Sequence, residues 1–248
     1  MPLESSLGGL SSPISGTFTS LVLANSPYWW YRCNDLSGPT LLDSSGNGRN
    51  GSFINALTFQ NPGFSTDGNH SIQSATTGAG SLVLATGGPG INSNSAFTIG
   101  FWWKPNPDSV TPGAVVFPVS ARGGANGWVL QIQYSDYAIN VSPFNSYTAP
   151  NWETPITTVN IAAGVAHFHW LTYDGSGNWN SYLDGGTVAV VSVTGAPLVV
   201  PTPTQSFMAG GNQSSGTNGA SGYWQDIMTF GSVLSASTRQ AIYTAATT

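Results

Sequence analysis

Residues 167–186 read HFHWLTYDGSGNWNSYLDGG, and this stretch decides the fold. His169, Trp170, Leu171, Thr172 and Tyr173 form an apolar, aromatic and β-branched run. Asp174 to Asn178 are the glycines and small polar residues of a tight loop, and Trp179 to Leu183 run back, which predicts a β-hairpin. Asp-Gly recurs at Asp184-Gly185, and both residue types tolerate the positive φ of close reversals. One hairpin followed at once by another turn predicts a meander of antiparallel strands.

Composition agrees with an all-β chain. At 248 residues one sandwich can take the whole length, so one main domain is expected. Charged residues are only 6%, against roughly 25% in ordinary globular chains, while 31 Gly and 16 Pro suit many turns and few helices. No apolar run approaches the roughly 18 residues of a membrane span. A net charge of −5 offers nothing to phosphate backbones, so neither nucleic acid nor membrane insertion is expected. Cys33 is alone, and the start MPLESSLGGLSS lacks the basic and apolar regions of a secretory signal, so synthesis in the cytosol is expected.

Residues 1–16 are Ser/Gly/Pro-rich without a period and read as an extended N-terminal arm, either a frayed terminus or an anchor that orders on a neighbouring subunit; Leu3, Leu7, Leu10 and Ile14 suit docking into a neighbour's groove. Residues 17–248 read as the sandwich. Thr17 to Ala24 fit a short strand or a helical turn, and Tyr28 to Tyr31 a first buried strand. Asp43 to Gly51 are so dense in Asx and Gly that the backbone must reverse there, with side-chain oxygens bonding nearby amides. Residues 97–105, FTIGFWWKP, alternate so that Phe97, Ile99, Phe101 and Trp103 share the core face, with Thr98, Gly100, Trp102 and Lys104 opposite. Further strands are expected at 81–84, 115–120, 128–134, 137–141, 187–193 and 222–230. Ser142 to Pro155 read as a long aromatic loop, either packed on the sandwich edge or offered to a ligand. Ser235 reads as the N-cap of one short C-terminal helix.

The segments LVLANSPYWWYRCNDLSG and LLDSSGNGRNGSF resemble the opening of laminin-G-like, concanavalin A-like jelly-roll domains, which have a Tyr/Trp-rich strand and a D-S-S-G-N-G-x-x-G loop. The strand at 97–105 resembles that family's F-T-I-S-F-W-V-K-P, departing at Gly100 and Trp103. LTYDG and YLDG of the hairpin resemble its L-T-Y-D-G and Y-V-D-G, with Ala166 where the family has Trp, and residues 222–243 are similar to its closing strand and helix. The resemblance implies a two-sheet antiparallel jelly-roll sandwich. It also implies calcium as a candidate ligand, with Asp43, Asn47 and Asp226 in the acidic-loop and closing-strand positions; turn capping and a sheet-edge hydrogen bond are the competing account. No cofactor is required by the reading.

Glycoside hydrolysis needs two carboxyl groups facing one bond. The only glutamates are Glu4 and Glu153, and Asp35, Asp43, Asp136, Asp174 and Asp184 all sit among loop residues, so no enzyme is expected. His167 and His169 would point the same way on a strand, where aromatic packing explains them better than a metal. Glycan stacking on an aromatic platform is the remaining chemistry, and Trp152 and Tyr147 of the long loop are its candidates. Jelly rolls with such an opening resemble bacteriophage virion appendage proteins. The resemblance implies a capsid or tail decoration or fibre protein at the virion surface, homo-oligomeric, contacting other virion proteins through the arm and host-surface glycans through the sandwich. A free-standing bacterial carbohydrate-binding module is the alternative, and a hydrolase the less favoured one.

Overall fold

The computed structural model describes residues 17–54, 57–74, 81–91, 93–106, 115–123, 126–133, 138–145, 161, 164–200, 206–210 and 220–248. In chain order the elements are α1 (Phe18–Ala24), β1 (Trp29–Tyr31), β2 (Thr40–Leu41), β3 (Gly51–Ile54), β4 (Thr58–Asn61), β5 (Ser71–Ser74), β6 (Ser81–Thr86), β7 (Phe97–Pro105), β8 (Val115–Gly123), β9 (Asn126–Gln133), β10 (Ala138–Asn145), β11 (His167–Tyr173), β12 (Trp179–Leu183), β13 (Val191–Val193), β14 (Ser206–Ala209), β15 (Gly222–Phe230) and α2 (Ala236–Thr247). Among the described residues they form two antiparallel sheets. One runs β13-β12-β11-β7-β15-β5-β4 with β1 also on β15, the other β10-β9-β8-β14-β6-β3-β2. Hairpin pairs such as β11–β12 and β8–β9 alternate with neighbours distant in sequence, such as β7–β15, β8–β14 and β6–β3, as in a jelly roll.

The expected hairpin is β11–β12, closed so that Tyr173 faces Trp179 and His169 faces Leu183. Asp174 ties its loop, accepting from Ser176 N at 2.8 Å and Asn178 N at 3.0 Å. Aromatic side chains from both sheets meet between the layers. Phe97 lies 5.9 Å from Trp128 of the opposite sheet and 5.6 Å from Tyr173, and Trp29 lies 5.1 Å from Phe207 across the same gap. Trp128 is wholly buried and satisfies its indole N–H on Gly90 O at 2.8 Å.

The second face of β7 is not a solvent face. Trp102 is 4% exposed and packs edge-on against Phe168 at 5.1 Å, while α1 and α2 lie over this side of the sheet. Phe18, Leu21 and Val22 of α1 and Ile242 and Ala246 of α2 join Trp30, Trp170, Met228 and Phe230 in this second core. Gly100, where the resembled family has Ser, lies under the Trp170 ring, and any Cβ there would collide with it. Two apolar faces give β7 a buried run rather than an exposed alternation.

Other expectations are corrected too. Of the two readings of Thr17 to Ala24, the helical one is found: Phe18–Ala24 is helix, with the N-cap Thr17 Oγ1 accepting from Ser20 N at 3.3 Å, a second helix among the described residues beside the expected C-terminal one. That expected helix is present, capped by Ser235 accepting from Thr238 N at 3.1 Å. Strand β10 runs on to Asn145, pairing Ser142 with Val129 and Pro143 with Trp128, so the long loop begins later than the prolines suggested. As the outermost strand of its sheet, β10 accommodates a proline that lacks an N–H. Only Val191–Val193 of 187–193 is strand. Among the described residues no helix is long and apolar enough to cross a membrane.

Candidate functional site

The loop between β2 and β3 is built around one carboxylate. Asp43 Oδ1 accepts from Trp30 N and Ser45 N, both at 2.9 Å, and Oδ2 accepts from Arg49 N at 2.9 Å and Ser45 Oγ at 2.8 Å. Partial burial works against the charge, but these four donors prevail and hold the carboxyl below its usual range. Asn47 carries the loop across to the α1–β1 connection, donating from Nδ2 to Pro27 O at 3.0 Å and Tyr28 O at 3.2 Å. Between the loop and that connection lies a cleft of about 410 Å³, lined by Ser26, Pro27, Tyr28, Ser45, Asn47 and Arg49 with Leu23 and Gly231. The Arg49 guanidinium lies 3.7 Å from the centre of the Tyr28 ring, and its Nη1 donates to Tyr28 O at 2.7 Å. Gly88 closes the Tyr28 ring from another side, where a Cβ would come within 2.8 Å of it.

A second polar group surrounds Asp226. In β15, Gln225 pairs with Trp102 and Met228 with Gly100, so Asp226 and Ile227 together face one residue of β7, a β-bulge with Asp226 at φ 50°. The bulge aims a carboxyl into the protein. Asp226 Oδ1 accepts from Trp30 Nε1 and Asn69 Nδ2, both at 3.1 Å, and Oδ2 from Gln225 Nε2 at 2.8 Å. Asn69 also donates to Asp67 Oδ2 at 2.5 Å, and Arg32 pairs with Asp67 at 3.4 Å. Burial, with the Asp67 charge beside it, pushes the Asp226 carboxyl up to about 7.

The structure therefore brings Asp43 and Asn47 into one loop and places Asp226 at the other end of Trp30, whose backbone N–H serves one carboxylate and whose indole serves the other. Each carboxylate's oxygens accept amide, hydroxyl or indole donors that a calcium ion would have to replace. Among the described residues no three His, Cys, Asp or Glu side chains cluster at metal-binding range. His169 is wholly buried, stacked on Phe101 at 5.0 Å, and burial pushes its imidazole down to about 3, so it is a neutral core ring. His167 instead meets Asp184 Oδ2 at 2.6 Å. Trp152 and Tyr147 lie outside the described residues. Sequence reasoning passed over Tyr28 as core and did not single out Arg49. The available signal was an arginine inside an Asx/Gly loop of a chain with only five cations.

A family model described as the concanavalin A-like lectin/glucanases superfamily, of laminin G type, matches residues 76–238. No curated protein matches the chain. Among solved structures, domain 4 of AbnA, a GH43 extracellular arabinanase from Geobacillus stearothermophilus in complex with arabinotriose, is similar with a TM-score of 0.63 and 20% identity, over 88% of this chain and 98% of that one. The ligand binding domain of Botulinum neurotoxin serotype D in complex with N-acetylneuraminic acid is similar with a TM-score of 0.63 and 13% identity, over 92% of this chain. The chain spans about half of that neurotoxin domain, 52%. At these identities the likeness is one of fold.

Proposed function

The chain belongs to the concanavalin A-like lectin/glucanases superfamily, and from that membership we propose that it is a non-enzymatic glycan-binding domain whose sugar site is the cleft between the Asp43 loop and the α1–β1 connection. The observation that carries this reading is the cleft itself. Its volume of about 410 Å³ lies within the roughly 300–1,000 Å³ of small-ligand pockets, and hydroxyl, amide and guanidinium groups converge on it. Saccharides present rows of hydroxyls to such groups. A glycan array probed with the full chain tests the reading: binding that Asn47→Ala or Arg49→Gln weakens at least tenfold supports it. Binding lost only in Trp152→Ala would move the site to the long aromatic loop. Release of reducing sugar from any bound polysaccharide would overturn the non-enzymatic part.

We place the domain on a bacteriophage virion as a homo-oligomeric decoration or fibre protein, anchored to other virion proteins by residues 1–16. Support comes from the resemblance of its opening segments to phage appendage proteins and from a surface poor in charge, suited to dense packing of copies. Deleting residues 1–16 should abolish incorporation into particles while the sandwich still melts as wild type, and incorporation at the wild-type level would remove the anchor. Calcium at Asp43 and Asn47, or at Asp226, is tested by melting the chain in EDTA and in millimolar calcium chloride. Occupancy at 100 times Kd would stabilise by about 2.7 kcal/mol, and an unchanged Tm would exclude a structural ion.

A further inference from the structure

We propose that the cleft is selective for acidic saccharides, with the Arg49 guanidinium receiving the sugar's carboxylate; this rests on the reading that the cleft binds a glycan. A neutral sugar would be met well enough by Ser26, Ser45 and Asn47. The geometry of Arg49 asks for more than a neutral hydroxyl. Its side chain is exposed, yet the guanidinium is fixed by the Tyr28 ring at 3.7 Å and by Tyr28 O at 2.7 Å, while its own backbone N–H is held by Asp43 and its carbonyl by the Tyr31 hydroxyl at 2.6 Å. The two side-chain contacts, on a backbone held at both its N–H and its carbonyl, reduce the rotamer freedom that an exposed arginine would otherwise lose on binding.

A guanidinium carries five N–H donors in a planar fork that matches a carboxylate bidentately. Among the described residues one of these donors is used, and it goes to a neutral carbonyl. The other described cations are differently placed. Arg32 pairs with Asp67, Arg239 is 3% exposed and donates to Leu234 O at 2.7 Å, and Lys104 lies over Tyr223 at 5.4 Å. Arg49 alone of these four lines the cleft, in a chain of net charge −5. Asp43 of the same loop is turned inward onto three backbone N–H groups and a hydroxyl, and among the described residues no carboxylate pairs with the Arg49 guanidinium. At physiological salt, charges beyond about 8 Å are screened, so the remaining acids do little against a contact made at hydrogen-bond distance.

Isothermal titration of the full chain with trigalacturonic acid, 3′-sialyllactose and a mannuronate trimer, each against its methyl ester, tests the inference. The ester keeps every hydroxyl and removes the charge. At least one acid should bind ten or more times tighter than its ester, Arg49→Gln should erase that difference, and Arg49→Lys should restore only part of it. The Arg49 Nε–H resonance of the wild type should shift on titration with the preferred acid, a readout independent of any variant's folding. Equal affinity for acid and ester, or a preference that survives Arg49→Gln, overturns acid selectivity and leaves the glycan reading standing. Binding of neutral array glycans with none of the three acids does the same, and an array on which nothing binds overturns both.

Discussion

Asp43 and Asp226 serve the same tryptophan and differ in almost everything else. Asp43 sits in a loop beside water and takes backbone N–H groups, and its carboxyl stays below the usual range. Asp226 sits wholly buried at a strand bulge, takes side-chain amides and an indole near a second aspartate, and its carboxyl rises to about 7. Both are richly hydrogen-bonded. The difference teaches that donor count alone does not set proton affinity: where burial removes water and a like charge stands nearby, amide donors do not restore the balance. One carboxylate organises a surface loop and, through it, the cleft. The other joins the closing strand to the segment before β5.

Removing the shared partner has the largest effect. Trp30→Ala takes a fully buried ring from between α1 and β15 and strips Asp226 of its indole donor, while Asp43 keeps the backbone N–H, so a loss of about 3–5 kcal/mol is expected in denaturant unfolding. Asp226→Ala comes next, at about 3 kcal/mol, because it leaves the buried Trp30 indole without its acceptor and takes one of the two carboxylate acceptors from Asn69 Nδ2. A loss below 1 kcal/mol would mean that water replaces the carboxylate.

The pH dependence separates the two acids. Asp226 binds its proton more tightly folded than unfolded, so its contribution is fully present below about 4 and is lost as pH rises toward 7. Asp43 binds its proton less tightly folded, so its contribution is present above about 4 and lost as pH falls below that. Melting from pH 3 to 8 should therefore show Asp226→Asn losing the decline between pH 4 and 7, and Asp43→Asn losing part of the acid limb. Identical profiles for the two variants would break the comparison. Asp43→Asn itself should cost about 1–2 kcal/mol through weaker, uncharged acceptors. Smallest is Arg49→Gln, an exposed substitution expected within about 0.5 kcal/mol of wild type while glycan affinity changes.

The hairpin at 167–186, the core face of β7, the Ser235 cap and the tight Asp43 loop were legible because each is written in local order: alternation, turn residues and caps act over two to five positions. The helix over Phe18–Ala24 was ambiguous because its Phe18, Leu21 and Val22 stripe is too short to show a period. Trp102 and Gly100 read as the far side of β7 because alternation reports two faces and cannot report that both are covered. Of the site, Asp43 and Asn47 were found as loop residues, while Arg49 stacked on Tyr28 was not, since the pair is 21 positions apart.

By itself, the sequence determined an all-β jelly roll with antiparallel neighbours, because strand periodicity and turn chemistry are local properties that survive whatever the chain later packs against. Tertiary structure alone decided which carboxylate would be charged, which aromatic faces would be covered and that Arg49 would stack on Tyr28 beside a cleft. Those outcomes depend on desolvation and on partners brought from far along the chain, Trp30 to Asp226 across 196 positions among them, and no window of sequence contains both.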